Sequence, residues 1–299
     1  QVVAPEGQGN GKGKGSGNKP TPERKDGESR FFMLSSTDEV MRKYAAPPYR
    51  PEVTLASFCE DFRAYAAGNL GLYYDIADIR RFIANLGVSH VLVMQGMSGT
   101  GKTSLAYAFG EFIGNPSVIV PIQPMWKERT DMIGYYNEFT GKFNETLLLQ
   151  KMYEANYSRD MYVTILDEMN IARVEYYFAE FLSLLELPDP NERYLDVVSD
   201  KWDSDPIQLQ DGRIKLPENM WYVGTANNDD STFAISDKVY DRAIPININS
   251  KGIPFEVENP ELYHDNIFPE NIIEEYFDGA KLYTNVKTNV TTNGNVCID

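Results

Sequence analysis

Gly96-Met97-Ser98-Gly99-Thr100-Gly101-Lys102-Thr103 fits the pattern G-x-x-x-x-G-K-[ST] at every fixed position. These residue types at this spacing bind phosphate. Glycines let successive backbone N–H groups curl around phosphate oxygens. A helix that starts where the loop ends adds its partial positive charge. Lys102 is spaced to reach β- and γ-phosphates, and the Thr103 hydroxyl to coordinate Mg²⁺. Gly96, Ser98, Gly99, Thr100, Gly101, Lys102, Thr103 and Ser104 are therefore the candidate contacts for a nucleoside triphosphate. The bland alternative is a chance glycine turn. The flanks speak against it, because the apolar run Val91–Met94 reads as a buried strand and Ser104–Phe109 as a helix. Gly11-Lys12-Gly13-Lys14-Gly15 has no such strand before it and no Ser or Thr after a Gly-Lys pair, so it is set aside.

Further chemistry lies downstream. The apolar run Met161–Leu166 ends in Asp167-Glu168. A carboxylate at the tip of a strand near the phosphate loop can hold Mg²⁺ through water, which is the role expected of Asp167. The adjacent Glu168 can polarise an attacking water. Trp221–Gly224 reads as another strand and runs into Thr225-Ala226-Asn227-Asn228. An amide at the end of a strand lying between the loop strand and the acidic strand can hydrogen-bond that water or the γ-phosphate. Asn227 is the choice, with Asn228 its rival. Arg242 follows the short helical stretch 236–241, and a guanidinium delivered from a neighbouring subunit can neutralise charge on a transferring phosphoryl group. The competing reading is a local ion pair with Asp241 or Asp237.

These side chains need a scaffold. From residue 88 onward strands and helices alternate, with strands at 118–122, 161–166, 221–224 and 243–248 and helices at 145–157 and 173–186. That alternation predicts an α/β fold, a three-layer αβα sandwich around a parallel sheet. Pro245 places the last strand at an edge. Leu55, Phe58, Phe62 and Tyr65 define a helix over 54–68 with Thr54 as N-cap, and Ile76 to Leu86 a second one that Gly87 ends. Asp211-Gly212, flanked by Ile207–Gln210 and Arg213–Leu216, predicts a hairpin. The stretch 124–136 gathers Trp126, Tyr135 and Tyr136 among mixed charges. It reads either as a buried aromatic corner or as a pore-facing or intersubunit loop. The expected organisation is a Gly/Lys/Ser/Pro-rich flexible linker over 1–30, a helical segment over 31–87, a nucleotide-binding core over 88–250, and a C-terminal extension over 251–299 with a short helix at 271–276.

The chain has 299 residues, 42% of them hydrophobic, and a formal charge of −16. The acidic balance argues against bulk attraction to nucleic acid or anionic membranes, though a local basic pore remains compatible with it. Two cysteines, Cys59 and Cys297, suit a reducing cytoplasm better than a disulfide scaffold. Cys59 falls on an apolar helix face and is expected in the core. His90 and His264 are too isolated for a metal site, and His90 is expected at a strand edge. No apolar run is long enough to cross a membrane. Starting at Gln1, the chain is expected to be a piece of a longer protein.

The order of phosphate loop, Asp-Glu strand, Asn-bearing strand and late Arg resembles the AAA+ ATPases. Leu166-Asp167-Glu168-Met169-Asn170-Ile171-Ala172-Arg173-Val174-Glu175 is similar to the L-D-E-M-N-x-A-R-x-E signature of McrB-type members, the GTPase motor subunits of modification-dependent restriction systems. Gly224-Thr225-Ala226-Asn227 is similar to their G-T-M-N stretch, and the 207–216 hairpin resembles an insertion of that clade. The likeness covers residues 55–250. It implies phosphate and Mg²⁺ binding by Lys102 and Thr103, a Walker B metal residue in Asp167, a catalytic base in Glu168, the first sensor in Asn227 and an arginine finger in Arg242. McrB proteins carry consecutive arginines at this last position, where this chain has one. The resemblance also implies a ring, expected to be homo-hexameric, that remodels or translocates a partner or polymer. That partner would be a protein such as a nuclease or effector, with nucleic acid reached through it or through a local pore. Without a recognisable guanine-reading motif, ATP is expected over GTP. The alternative function is a nucleotide-gated assembly or recruitment module with slow hydrolysis. A helical lid usually follows the last strand, and here it looks truncated or replaced.

Overall fold

The computed structural model describes residues 28–45, 54–227, 232–249 and 251–257. In chain order they form α1 (Met33–Met41), α2 (Leu55–Leu70), α3 (Ile76–Leu86), β1 (Val91–Gly96), α4 (Lys102–Phe112), β2 (Val118–Pro121), α5 (Thr130–Ile133), β3 (Gly134–Asn137), β4 (Lys142–Glu145) and α6 (Leu147–Ala155). There follow β5 (Tyr162–Asp167), α7 (Val174–Tyr177), α8 (Ala179–Leu185), β6 (Tyr194–Asp196), β7 (Arg213–Lys215), β8 (Met220–Asn227), α9 (Asp237–Tyr240) and β9 (Ile244–Asn247).

Five strands form one parallel sheet in the order β2-β5-β8-β1-β9, and β9 is an edge strand as Pro245 requires. Side chains alternate across it. Val91, Val93, Tyr162, Leu166, Met220 and Tyr222 join one core, under α1, α6, α7 and α8. Leu92, Met94, Val163, Ile165, Trp221 and Val223 join another, under α2, α3 and α4. Strands apolar on both faces are what a parallel sheet between two helical layers demands. The result is the P-loop αβα sandwich.

Local chemistry sets the element ends. The Thr54 hydroxyl accepts from the Ser57 N–H and starts α2. Asp75 does the same for α3 through the Ala77 N–H. Gly87 does end α3, but with φ of −68° it does so in right-handed geometry and without a left-handed cap. Phe58, Phe62 and Phe82 close edge-on or tilted around Phe109 and Phe112 of α4, so the two helices before the loop strand brace the helix behind it. Cys59 is buried there, and burial pushes its thiol up to about 11.

Three sequence-based expectations differ from the structure. The helix expected from Glu145 begins at Leu147, with Thr146 as its cap. Glu145 instead ends β4, and its carboxylate accepts from the backbone N–H groups of Phe32, Met33 and Leu34, satisfying the start of α1 across the fold. The helix expected over 173–186 is broken at Phe178 (φ −106°, ψ 1°), whose ring stacks on Phe181 at 5.2 Å and meets Tyr222 edge-on at 5.6 Å. Asp211-Gly212 does turn the chain, both at positive φ. Yet only a single bridge, Gln210 to Arg213, joins the expected arms, and β7 pairs antiparallel with β6 instead. The expected helix at 271–276, Cys297, His264 and most of the expected lid lie outside the described residues.

Gly134 opens the β3–β4 hairpin at φ +99°, and a Cβ there would sit 1.9 Å from the Asn144 carbonyl oxygen. Gly134→Ala therefore combines backbone strain with a clash against main chain, and is expected to cost about 1–3 kcal/mol. Urea denaturation measures this, and an unchanged midpoint would refute the packing described.

Candidate functional site

The site lies at the carboxyl ends of β1, β8 and β5. Gly96 closes β1 in a conformation open to glycine alone (φ +141°), and a Cβ would meet the Ile248 carbonyl oxygen at 2.2 Å. The chain then crosses Met97, Ser98 and Gly99, all exposed, and re-enters the fold at buried Thr100. The Thr100 hydroxyl donates to the Met97 carbonyl at 3.0 Å, which closes the loop. Gly101 caps α4 from the left-handed region, so Lys102, Thr103 and Ser104 form its first turn. The Lys102 ammonium is buried and donates to the Gly96 and Met97 carbonyls at 3.0 and 2.7 Å, lying across the inside of the loop. Tyr74, at the start of the α3 cap, supports the loop from behind by donating to the Gly101 carbonyl at 3.1 Å. No sequence signal pointed to Tyr74.

Two hard oxygens meet beside the loop. The Thr103 hydroxyl donates to Asp167 Oδ1 at 2.8 Å, joining α4 to the tip of β5. The Thr225 hydroxyl donates to the same oxygen at 3.0 Å and accepts from the Glu168 N–H at 2.9 Å. Thr225 stands in the Gly224–Asn227 stretch without an expected role of its own, yet it holds both acids. Glu168 itself adopts the left-handed region (φ 52°, ψ 46°), a strain of about 1–2 kcal/mol for a residue with a Cβ. Its side chain is exposed and has no hydrogen-bond or ion-pair partner among the described residues. Thr103 and Asp167 together present a hydroxyl and a carboxylate, the donor chemistry that suits Mg²⁺.

β8 lies between β1 and β5, so Asn227 at its end falls between the phosphate loop and the acidic pair, level with Gly96 in the ladder. Its main chain is held from one side by Asn170. The Asn170 amide donates to the Asn227 carbonyl at 2.9 Å, and its oxygen accepts from the Asn227 N–H at 3.3 Å. A cleft of about 310 Å³ opens here, lined among others by Gln95, Asn227, Thr232 and Tyr240. Asn228, the rival sensor, lies outside the described residues.

Arg242 is not brought to its own chain's loop residues by any contact. Its Nε lies 2.7 Å from Glu186 and its Nη1 donates to the Lys238 carbonyl at 2.8 Å, with about a fifth of the side chain exposed. Its acidic partner is thus Glu186, not the Asp241 or Asp237 that sequence proximity suggested. The aromatic stretch 124–136 divides. Trp126 packs edge-on to Tyr177 at 5.8 Å and Met132 and Ile133 are buried, whereas Met125 and Tyr135 are exposed. His90 precedes β1, stacks on Trp221 at 5.0 Å and touches the Glu218 carbonyl at 2.8 Å. Burial holds its pKa below the usual imidazole range. Among the described residues no helix is long and apolar enough to cross a membrane.

No protein-family model and no curated protein matches this chain. Among solved structures, one that matches is described as a “putative ATPase” from Cytophaga hutchinsonii, at 15% identity and a TM-score of 0.42, covering 75% of this chain and 66% of that one. The likeness thus spans just under two thirds of the neighbour's length.

Proposed function

We propose that this chain is the nucleotide-hydrolysing core of an AAA+ motor of the McrB-like type, using ATP and Mg²⁺. The observation that carries the reading is the insertion of β8 between β1 and β5, which puts the Asn227 strand end between a phosphate loop and an Asp-Glu pair already joined through Thr103, Asp167 and Thr225. Simple P-loop architecture needs no such amide. Hydrolysis by an activated water does, because the water must be held as well as deprotonated.

The residues divide the work as follows. Backbone N–H groups of the 96–101 loop and the start of α4 receive the phosphates. Lys102 exchanges its two carbonyl partners for phosphate oxygens, a gain in charge complementarity. Thr103 and Asp167 would hold the metal, which when bound neutralises charge on the β- and γ-phosphate oxygens. Glu168 accepts the proton of the attacking water. Asn227 orients that water against the terminal phosphate. Arg242 acts on a neighbouring subunit's nucleotide, and the ring is taken as six subunits. The acidic chain favours a protein partner, such as a nuclease of a restriction or defence system, over bare nucleic acid.

Calorimetry with ATP and GTP, each with Mg²⁺, tests the premise. Parent protein is expected to bind one or both, ATP the more tightly, and Lys102→Ala to bind neither. Absence of heat with both nucleotides in folded parent protein would refute the proposal. Mass measurement with a non-hydrolysable analogue tests the ring, which a strictly monomeric species would exclude.

A further inference from the structure

We propose that Asn170 is a positioning residue that locks Glu168 and Asn227 into one fixed relation, an inference that rests on the hydrolytic reading of those two residues. β8 has a neighbour on each side for most of its length. On the β1 side the ladder runs as far as Gly96 opposite Asn227. On the β5 side it stops at Leu166 opposite Gly224, because β5 ends at Asp167 and the chain turns away at Glu168 through left-handed geometry. The last residues of β8 would then carry unpaired main-chain groups on that side, and unpaired buried backbone groups are costly.

Asn170 fills the gap. The turn at Glu168 leads into a single 3₁₀ turn, Met169–Ile171, that carries the Asn170 side chain back to β8. Its amide acts as a substitute strand, giving an N–H to the Asn227 carbonyl at 2.9 Å and taking the Asn227 N–H at 3.3 Å. A second amide proton goes to the Phe233 carbonyl at 3.2 Å, and the Asn170 main-chain carbonyl accepts from the Phe233 N–H at 2.8 Å. The side chain is only 4% exposed, and each of these side-chain bonds ends on the backbone at Asn227 or Phe233. A buried amide with this pattern holds one segment against another and leaves little capacity for a ligand. Because Asn170 is two residues from Glu168, the acid and the sensor amide share one rigid link. A shift of about 1 Å between two groups that hold one water costs about 10²-fold in rate.

Steady-state turnover, nucleotide affinity by calorimetry and thermal unfolding, measured on Asn170→Ala, Asn227→Ala and the double variant, test this. Asn170→Ala is expected to lose roughly 10- to 100-fold in kcat, to keep parent affinity for ATP, and to cause no further loss once Asn227 is Ala. Additive losses, affinity falling together with kcat, or parent turnover in Asn170→Ala while Asn227→Ala is impaired would each overturn it. Parent turnover in Asn227→Ala would instead remove the underlying assignment of Asn227, and the positioning role with it. Should Asn170→Ala fail to fold, Thr232→Val replaces it. That variant deletes the 2.9 Å bond from the Thr232 hydroxyl to the same Asn227 carbonyl and is expected to lower kcat by a smaller factor without touching affinity, whereas unchanged kcat would count against the proposal.

Discussion

Glu168→Gln is expected to bind ATP as the parent does and to hydrolyse it roughly 10²–10⁴-fold more slowly, the span typical of losing a positioned general base. The substitution keeps the length, the shape and the left-handed backbone of this position while removing the group proposed to accept the water's proton. Geometry favours Glu168 over Asp167 for this role. Asp167 Oδ1 is already engaged by the Thr103 and Thr225 hydroxyls at 2.8 and 3.0 Å, which ties it to the phosphate loop. Glu168 has its main chain anchored through the Thr225 hydroxyl at 2.9 Å while its side chain stays exposed. The backbone strain at Glu168 fits this division, since a residue forced into the left-handed region persists only where neighbours over-determine it. Phosphate release and nucleotide calorimetry, run on the same preparations, check the expectation. Turnover equal to the parent's would remove Glu168 as the base. Lost binding would show instead that the acid shapes the phosphate loop.

The placement of most of the candidate site residues is legible in the sequence, and the reasons are local. The phosphate loop, its strand and its helix are contiguous, so pattern and spacing specify them together. Asp167-Glu168 and Asn227 were legible because each ends an apolar run, and an apolar run with a polar tip marks the carboxyl edge of a parallel sheet. What escaped depends on contacts between distant segments. Thr225 stands next to Asn227 in a recognisable stretch, but its hold on both acids follows only once β8 is placed beside β5. Asn170 sits in a recognisable signature, but nothing in its neighbourhood says that its amide will complete a ladder at Asn227. Glu145 looked like the first residue of a helix because its real task, capping α1, is set by a segment more than a hundred residues away. The turn at Asp211-Gly212 shows the same limit: it is local and legible, while the choice of β6 as the strand partner of β7 is tertiary. Phe178 breaks its helix because burial of its ring against Phe181 and Tyr222 outweighs local helical preference.

Arg242→Ala is expected to lower turnover roughly 10³–10⁵-fold, the largest loss expected of a change that leaves the phosphate loop intact, if its guanidinium serves the nucleotide of the next subunit. Within its own chain the side chain holds Glu186 and the Lys238 carbonyl. That pair does not make the transfer prohibitive. Glu186 is half exposed and the buried Arg242 Nε, although 2.7 Å from its carboxylate, makes no hydrogen bond to it, so the pair is worth about 0–1 kcal/mol. A phosphoryl group gathering charge in a desolvated interface is a stronger partner than a solvated carboxylate. Two experiments separate the trans role from a merely local pair. Glu186→Ala removes the local partner and leaves the arginine free, so it should keep turnover at or above the parent level, whereas a structural pair predicts that Glu186→Ala and Arg242→Ala fail alike. Mixing Arg242→Ala with Lys102→Ala, each inactive alone, should restore measurable ATP hydrolysis, because some interfaces then join an intact phosphate loop from one subunit to an intact arginine from the other. No recovery on mixing, in preparations shown to co-assemble, would return Arg242 to the role of holding α9 against the end of α8.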